Sequence, residues 1–205
     1  MSIKEKAWYP VLFMFLASVF FVAILVVFGA FTQPRVEANA QIAFERAALE
    51  ASPAELPEPM NPTRNHNMYT ELVADSAEGT AGALRFIQDG KLVAYLLPIE
   101  GQGFWAPIKG VIGIAADKRM ITGIAFYQQE ETPGLGGEIV NKPFRSQFEG
   151  KLLSEEGIPI EIRSVSAELD ENSVHAVTGA TQTSTRLGRF MNDKLTEWQV
   201  RMGVR

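Results

Sequence analysis

Two polar, glycine-bearing stretches hold the residue types from which a phosphate- or ring-binding site can be built. The first is Glu131-Thr132-Pro133-Gly134-Leu135-Gly136-Gly137-Glu138. Glycines there let backbone N–H groups approach a ligand with no side chain in the way. The same composition also suits a plain tight connection after a strand, and composition alone leaves those readings level. The second stretch is Thr178-Gly179-Ala180-Thr181-Gln182-Thr183-Ser184. Just beyond it, Leu187, Phe190, Met191, Leu195 and Trp198 fall on one helical face, which predicts a C-terminal helix. Thr183 or Ser184 is then its expected N-cap. A helix N-terminus offers unpaired N–H groups and a partial positive charge, a seat for a phosphate. A hydroxyl just upstream could be esterified by that phosphate. Small residues and hydroxyls open many helices, so spacing alone does not establish this use.

Other chemistry is excluded by composition. The chain has no cysteine and only two histidines, His66 and His175. Disulfides, Cys-ligated zinc, iron–sulfur clusters and CxxCH haem attachment are ruled out, and no metal site is expected. If the chain moves electrons, this composition favours an organic cofactor as the carrier. No side chain stands out as a general acid, base or nucleophile, so no catalytic residue is assigned. The formal charge is −5 without a polybasic cluster, which argues against nucleic-acid binding.

The elements that must position these stretches follow a long apolar segment. Between Lys6 and Arg35 there is no charged residue, and ~23 helical residues from Tyr9 span ~35 Å, enough for a bilayer core of about 30 Å. Residues 9–33 are therefore expected to form one transmembrane helix. Lys4 and Lys6 precede it, which places residues 1–8 in the cytoplasm and the remainder outside. A cleaved signal peptide competes with this reading, since Ala38-Asn39-Ala40 resembles a cleavage site, but the apolar run exceeds a signal h-region. Residues 34–68 read as a stalk and Pro-rich linker: 36–51 carry a weak helical stripe and either continue the membrane helix or form a short stalk, and after them Pro53, Pro57, Pro59 and Pro62 block regular structure. Residues 69–205 form the soluble domain. There, Leu84–Ile87 and Leu92–Leu96 flank Asp89-Gly90, a hairpin signal. Lys109–Ala116 and Met120–Tyr127 suggest a second hairpin, Ile158–Val165 another strand, and Pro143–Phe148 a short helix. The expected fold class is α+β, an antiparallel sheet with packed helices.

With both motifs in place, the chain resembles a family of flavin-bearing proteins: the single-span FMN-carrying subunits of the sodium-translocating NADH:quinone reductase (Nqr) and of the related Rnf complex. Thr178-Gly179-Ala180-Thr181 matches that family's S/T-G-A-T motif, where a flavin transferase links FMN through a phosphoester to the final threonine. The resemblance thus implies covalent FMN at Thr181, with Thr178, Gly179 and Ala180 around it. Glu131-Thr132-Pro133-Gly134-Leu135-Gly136 matches the family's E-T-P-G-L-G signature, which lines the isoalloxazine. It implies Glu131, Thr132, Gly134, Leu135 and Gly136 as cofactor-binding residues. Gly103-Phe104-Trp105 is similar to an aromatic position near the flavin and adds Trp105. His175 stands where the transferase motif usually has aspartate, and it also reads as a strand-end residue without chemical role. By the same resemblance the chain is a single-pass protein of the bacterial inner membrane, relaying electrons within an ion-translocating oxidoreductase. Its implied partners are integral-membrane subunits, including a further FMN-bearing subunit and iron–sulfur-bearing subunits. An anchored flavin partner of a different reductase, or a cofactor-free ligand-binding domain, are the alternatives.

Overall fold

A computed structural model describes residues 8–57, 59 and 61–205. Lys4, Lys6 and the rest of the expected N-terminal tail up to Ala7 lie outside the described residues, as do Glu58 and Met60 of the Pro-rich segment. The chain's described residues form two compact units, 8–41 and 42–205. The domain boundary expected at residue 69 thus differs from the start of the second unit at Ile42.

In the first unit, helix α1 (Trp8–Ala51, ending in the second unit) begins with an apolar stretch long enough to cross a membrane, and none of that stretch is buried in the protein. Val11, Phe13, Phe15, Phe20, Leu25 and Phe31 are all exposed around it. Such a surface is stable only in an apolar medium, because every backbone group is satisfied within the helix while the side chains face outward. Pro34 lies inside the helix without ending it.

The second unit is built on an antiparallel sheet in the order β1 (Val73–Ala74), β2 (Leu84–Gln88), β3 (Lys91–Gln102), β4 (Pro107–Ala115), β5 (Ile121–Gln128). The hairpin expected at Asp89-Gly90 forms, with φ of 51° and 71°. Asn61 caps helix α2 (Pro62–Leu72), accepting the Arg64 N–H at 2.9 Å. Proline at the first helical position gives up no hydrogen bond, so Pro62 starts the helix where a linker was expected. Helix α3 (Lys142–Arg145) and a 3₁₀ turn at Ser146–Phe148 match the expected short helix. The strand expected over Ile158–Val165 shrinks to β6 (Glu161–Arg163), which pairs in parallel with β7 (Ser173–His175) in a separate two-stranded sheet. Helix α4 (Thr181–Arg201) ends the fold.

Alternate residues of β3 enter opposite cores, as a pleated strand dictates. Tyr95, Leu97 and Ile99 pack with Leu187, Met191, Leu195 and Trp198 of α4. Ala94 and Leu96 pack with Ala47, Ala48 and Leu49, the last turns of α1. The sheet is covered on both faces, so β3 and β4 read as near-continuous apolar runs. Paired Gly113 and Gly123 make room for the α1 terminus: a Cβ on Gly113 would strike the Ala51 carbonyl, which Thr122 Oγ1 caps at 2.8 Å. Beside it, burial opposes ionisation of Glu50, yet hydrogen bonds from Arg46 and Arg145 outweigh that and hold its carboxyl below the usual range.

Candidate functional site

Three segments meet at the N-terminal end of α4. They are the β3–β4 turn at Gly103–Ala106, the loop after β5, and the turn before α4. The loop is pinned first. Its backbone doubles back through Thr132 O, which accepts N–H bonds from Leu135 at 3.1 Å and Gly137 at 2.9 Å. Gly134 takes φ +73°, a conformation that β-branched side chains resist.

Glu131 ties the three segments together. Its side chain is buried, at 5% exposure, far below what an unpaired carboxylate tolerates. Oε1 accepts the Trp105 N–H at 3.0 Å, and Oε2 accepts the Thr183 hydroxyl at 2.6 Å. Close packing around this carboxylate explains two glycines. A Cβ on Gly103 would lie 2.5 Å from Glu131 Oε1, and one on Gly136 would lie 2.9 Å from Oε2. Trp105 is held a second time, since its indole N–H donates to Thr132 Oγ1 at 3.2 Å.

This arrangement corrects the expected N-cap. Thr183 spends its hydroxyl on Glu131, and Ser184 Oγ accepts the Val177 N–H at 3.2 Å, so neither caps the helix. Helix α4 instead starts at Thr181 with Ala180 as N-cap and no side-chain cap bond. The first-turn N–H groups are left for another acceptor. Gly179 takes φ +75°, and the Leu135 Cδ2 sits 3.0 Å from where its Cβ would be, so the two glycine motifs touch.

Between them lies a cavity of about 360 Å³. Of the residues singled out from sequence, Trp105, Glu131, Thr132, Leu135, Gly136, Gly179, Ala180 and Thr181 line it. Thr178 and Gly134 are not part of the lining; Gly134 acts through the turn it makes. Phe104, Gln182 and Thr183 complete the wall. Phe104 is the neighbour of Trp105 in an exposed aromatic pair, with ring centroids 4.9 Å apart. Its sequence signal is the aromatic pair that follows Gly103. His175 ends β7, its Nε2 3.0 Å from the Ala167 carbonyl, and does not line the cavity.

The lining suits FMN. Phe104, Trp105 and Leu135 are 44%, 66% and 43% exposed, an apolar surface fit for a flat ring. At the other end stands an uncapped helix N-terminus, suited to a phosphate. The exposed Thr181 hydroxyl makes no hydrogen bond to the described residues and is free to carry an ester.

Comparison with known proteins agrees. Residues 103–196 match the FMN-binding domain family. The NqrC component of the Na(+)-translocating NADH-quinone reductase of Vibrio vulnificus is 36% identical over 107 residues, 50% of this chain and 42% of that protein. Its counterpart in Neisseria meningitidis is 37% identical over 99 residues, 47% of this chain and 38% of that protein. The matched stretch spans less than half the length of these relatives. The crystal structure of the corresponding protein from Parabacteroides distasonis has the same fold, with a TM-score of 0.68 at 22% identity over 83% of this chain and 94% of that one. Shewanella oneidensis NqrC also shares the fold, with a TM-score of 0.64 at 19% identity over 82% of this chain and 99% of that one. Residues 103–196 thus match the FMN-binding domain family, and in sequence and fold the chain is similar to the NqrC components of Na(+)-translocating NADH-quinone reductases.

Proposed function

We propose that the chain holds FMN covalently, through a phosphoester to Thr181, and serves as a membrane-anchored electron relay in an ion-translocating oxidoreductase of the Nqr or Rnf type. The observation that carries this reading is the Thr181 hydroxyl, unbonded among the described residues, at the open N-terminus of α4 on the rim of a cavity with aromatic walls. Bound there, FMN would supply one- and two-electron chemistry. The chain's own residues do the rest. The first-turn N–H groups of α4 take the phosphate, Leu135 and Trp105 cover the ring, and Glu131 fixes the distance between them. A tether removes dissociation, which matters for a domain facing a large dilution volume. Partners follow from the same reading: a flavin transferase during maturation, then integral-membrane subunits that include a second FMN-bearing subunit and iron–sulfur-bearing subunits.

Leu135→Ala tests the pocket. It should strip apolar cover from the ring, shifting the flavin's absorbance and midpoint potential while leaving covalent FMN near the parent level. A plain strand connection would instead change stability by ~1–3 kcal/mol or less and leave the spectrum alone.

The orientation places residues 1–8 in the cytoplasm and the flavin domain outside, on the strength of Lys4 and Lys6. The chain lacks cysteine, so Lys91→Cys at the exposed start of β3 gives a clean probe. It should react with a membrane-impermeant thiol reagent on intact spheroplasts. Labelling only after lysis would reverse the orientation.

A further inference from the structure

Arg186, on α4, is a cation without a counter-ion among the described residues. Arg46, Arg119, Arg145, Arg163 and Arg201 each pair with a carboxylate. Arg186 makes no such pair, as is also true of Arg35, Arg64, Arg85, Arg189 and Arg205 among the described residues, but of these six it alone has a buried Nε that meets no acceptor. Its guanidinium instead lies over the Phe104 ring, 5.9 Å from the centroid, and Phe104 is a wall of the flavin cavity. Glu131 is the one carboxylate among the described residues of that wall, and both of its oxygens are already engaged by Trp105 and Thr183. Arg186 is not itself part of the lining, but a cation held against one wall of the cavity with no carboxylate partner is placed to act on negative charge that arrives with the ligand.

The phosphate is not the best candidate for that anion. The free N–H groups of the first turn of α4 already serve it. Arg186 lies five residues past Thr181, ~7.5 Å along the helix, and is held on the aromatic wall. We propose that Arg186 is a positioning and charge-balancing residue for the reduced isoalloxazine, stabilising the anion left when the ring takes two electrons and one proton. This inference rests on the FMN reading above. It makes the potential of the bound flavin depend on a side chain outside both glycine motifs.

The test uses the full chain co-expressed with a flavin transferase and compares the parent with Arg186→Gln and Arg186→Lys. Flavin fluorescence that survives denaturation reports attachment, and a redox titration reports the midpoint. Attachment should be unaffected in both variants. In Arg186→Gln the reduced form should lose roughly tenfold in stability relative to the oxidised form, a fall in midpoint of about 30 mV for a two-electron couple. Arg186→Lys should keep most of the parent value, because it keeps the charge. An unchanged midpoint in Arg186→Gln overturns the proposal, and so does an equal shift in both variants, which would mean that packing on Phe104 rather than charge is responsible. A fall in attachment with an unchanged midpoint would assign Arg186 to the phosphate and also overturn it. If the parent itself carries no covalent flavin, the attachment reading fails instead, and the same titration on protein loaded with free FMN still decides the role of Arg186.

Discussion

Thr181→Val should yield a folded protein that retains no flavin after denaturation. Thr181 is exposed and its hydroxyl makes no hydrogen bond to the described residues, so replacing it with a near-isosteric methyl removes nothing the fold depends on. The residue occupies the first position of α4, where a β-branched side chain costs a few tenths of a kcal/mol at most. Loss of the ester should therefore be complete while stability is nearly untouched. Comparing in-gel fluorescence with a thermal melt separates the two effects. Thr178→Ser should retain the flavin, since Thr178 does not line the cavity and either hydroxyl fits the motif. Covalent flavin persisting in Thr181→Val would move the attachment to another hydroxyl, with Thr183 or Thr185 next to be tested.

The second large effect is expected at Glu131. Glu131→Gln replaces one carboxylate oxygen by an NH₂ group, which must then face either the Trp105 N–H or the Thr183 hydroxyl. Facing Thr183, whose hydroxyl can turn to accept, the NH₂ keeps a hydrogen bond, but both bonds lose the carboxylate's charge, a cost of about 1–3 kcal/mol. Because the two weakened bonds together join the β3–β4 turn to α4, the change should also loosen the flavin site and reduce covalent loading. Thr183→Val removes one of these bonds from the other side. If Glu131 acts as a brace, the two substitutions should be non-additive, with a coupling of ~0.5–3 kcal/mol in denaturant titrations. Additive effects would mean that the carboxylate does not depend on Thr183, and Glu131 would return to the role of ring contact implied by its motif.

That pair of residues also marks where local sequence rules stop. The hairpin at Asp89-Gly90 is legible because its turn demands positive φ at both residues, a local requirement that the residue types display. The apolar face of α4 is legible for the same reason, since Leu187, Met191, Leu195 and Trp198 recur at helical spacing and are all buried. Both glycine motifs stand out in the sequence, and the structure brings them into contact through Leu135 and Gly179. The N-cap is not legible, because Thr183 is engaged by a residue 52 positions earlier. Local rules make any threonine before a helix a cap; only the fold reveals that its hydroxyl is already committed. Glu131 illustrates the converse. Its motif membership marks it as important, but its burial and its two partners, both distant in sequence, are what define its task. The short parallel pair of β6 and β7 is similarly invisible, since three-residue strands carry too little periodicity to register. Helix α2 is hidden by proline, which reads as a breaker until Asn61 is seen to cap it.

Covalent FMN at Thr181 is the central claim, and intact-protein mass spectrometry tests it most directly. The protein co-expressed with a flavin transferase should gain the mass of FMN less one water. Peptide mapping should place that addition on the segment bearing Thr178-Gly179-Ala180-Thr181. The same protein made without the transferase should show the bare mass. An unmodified mass in the presence of an active transferase, or an adduct mapping to any other segment, would contradict the account.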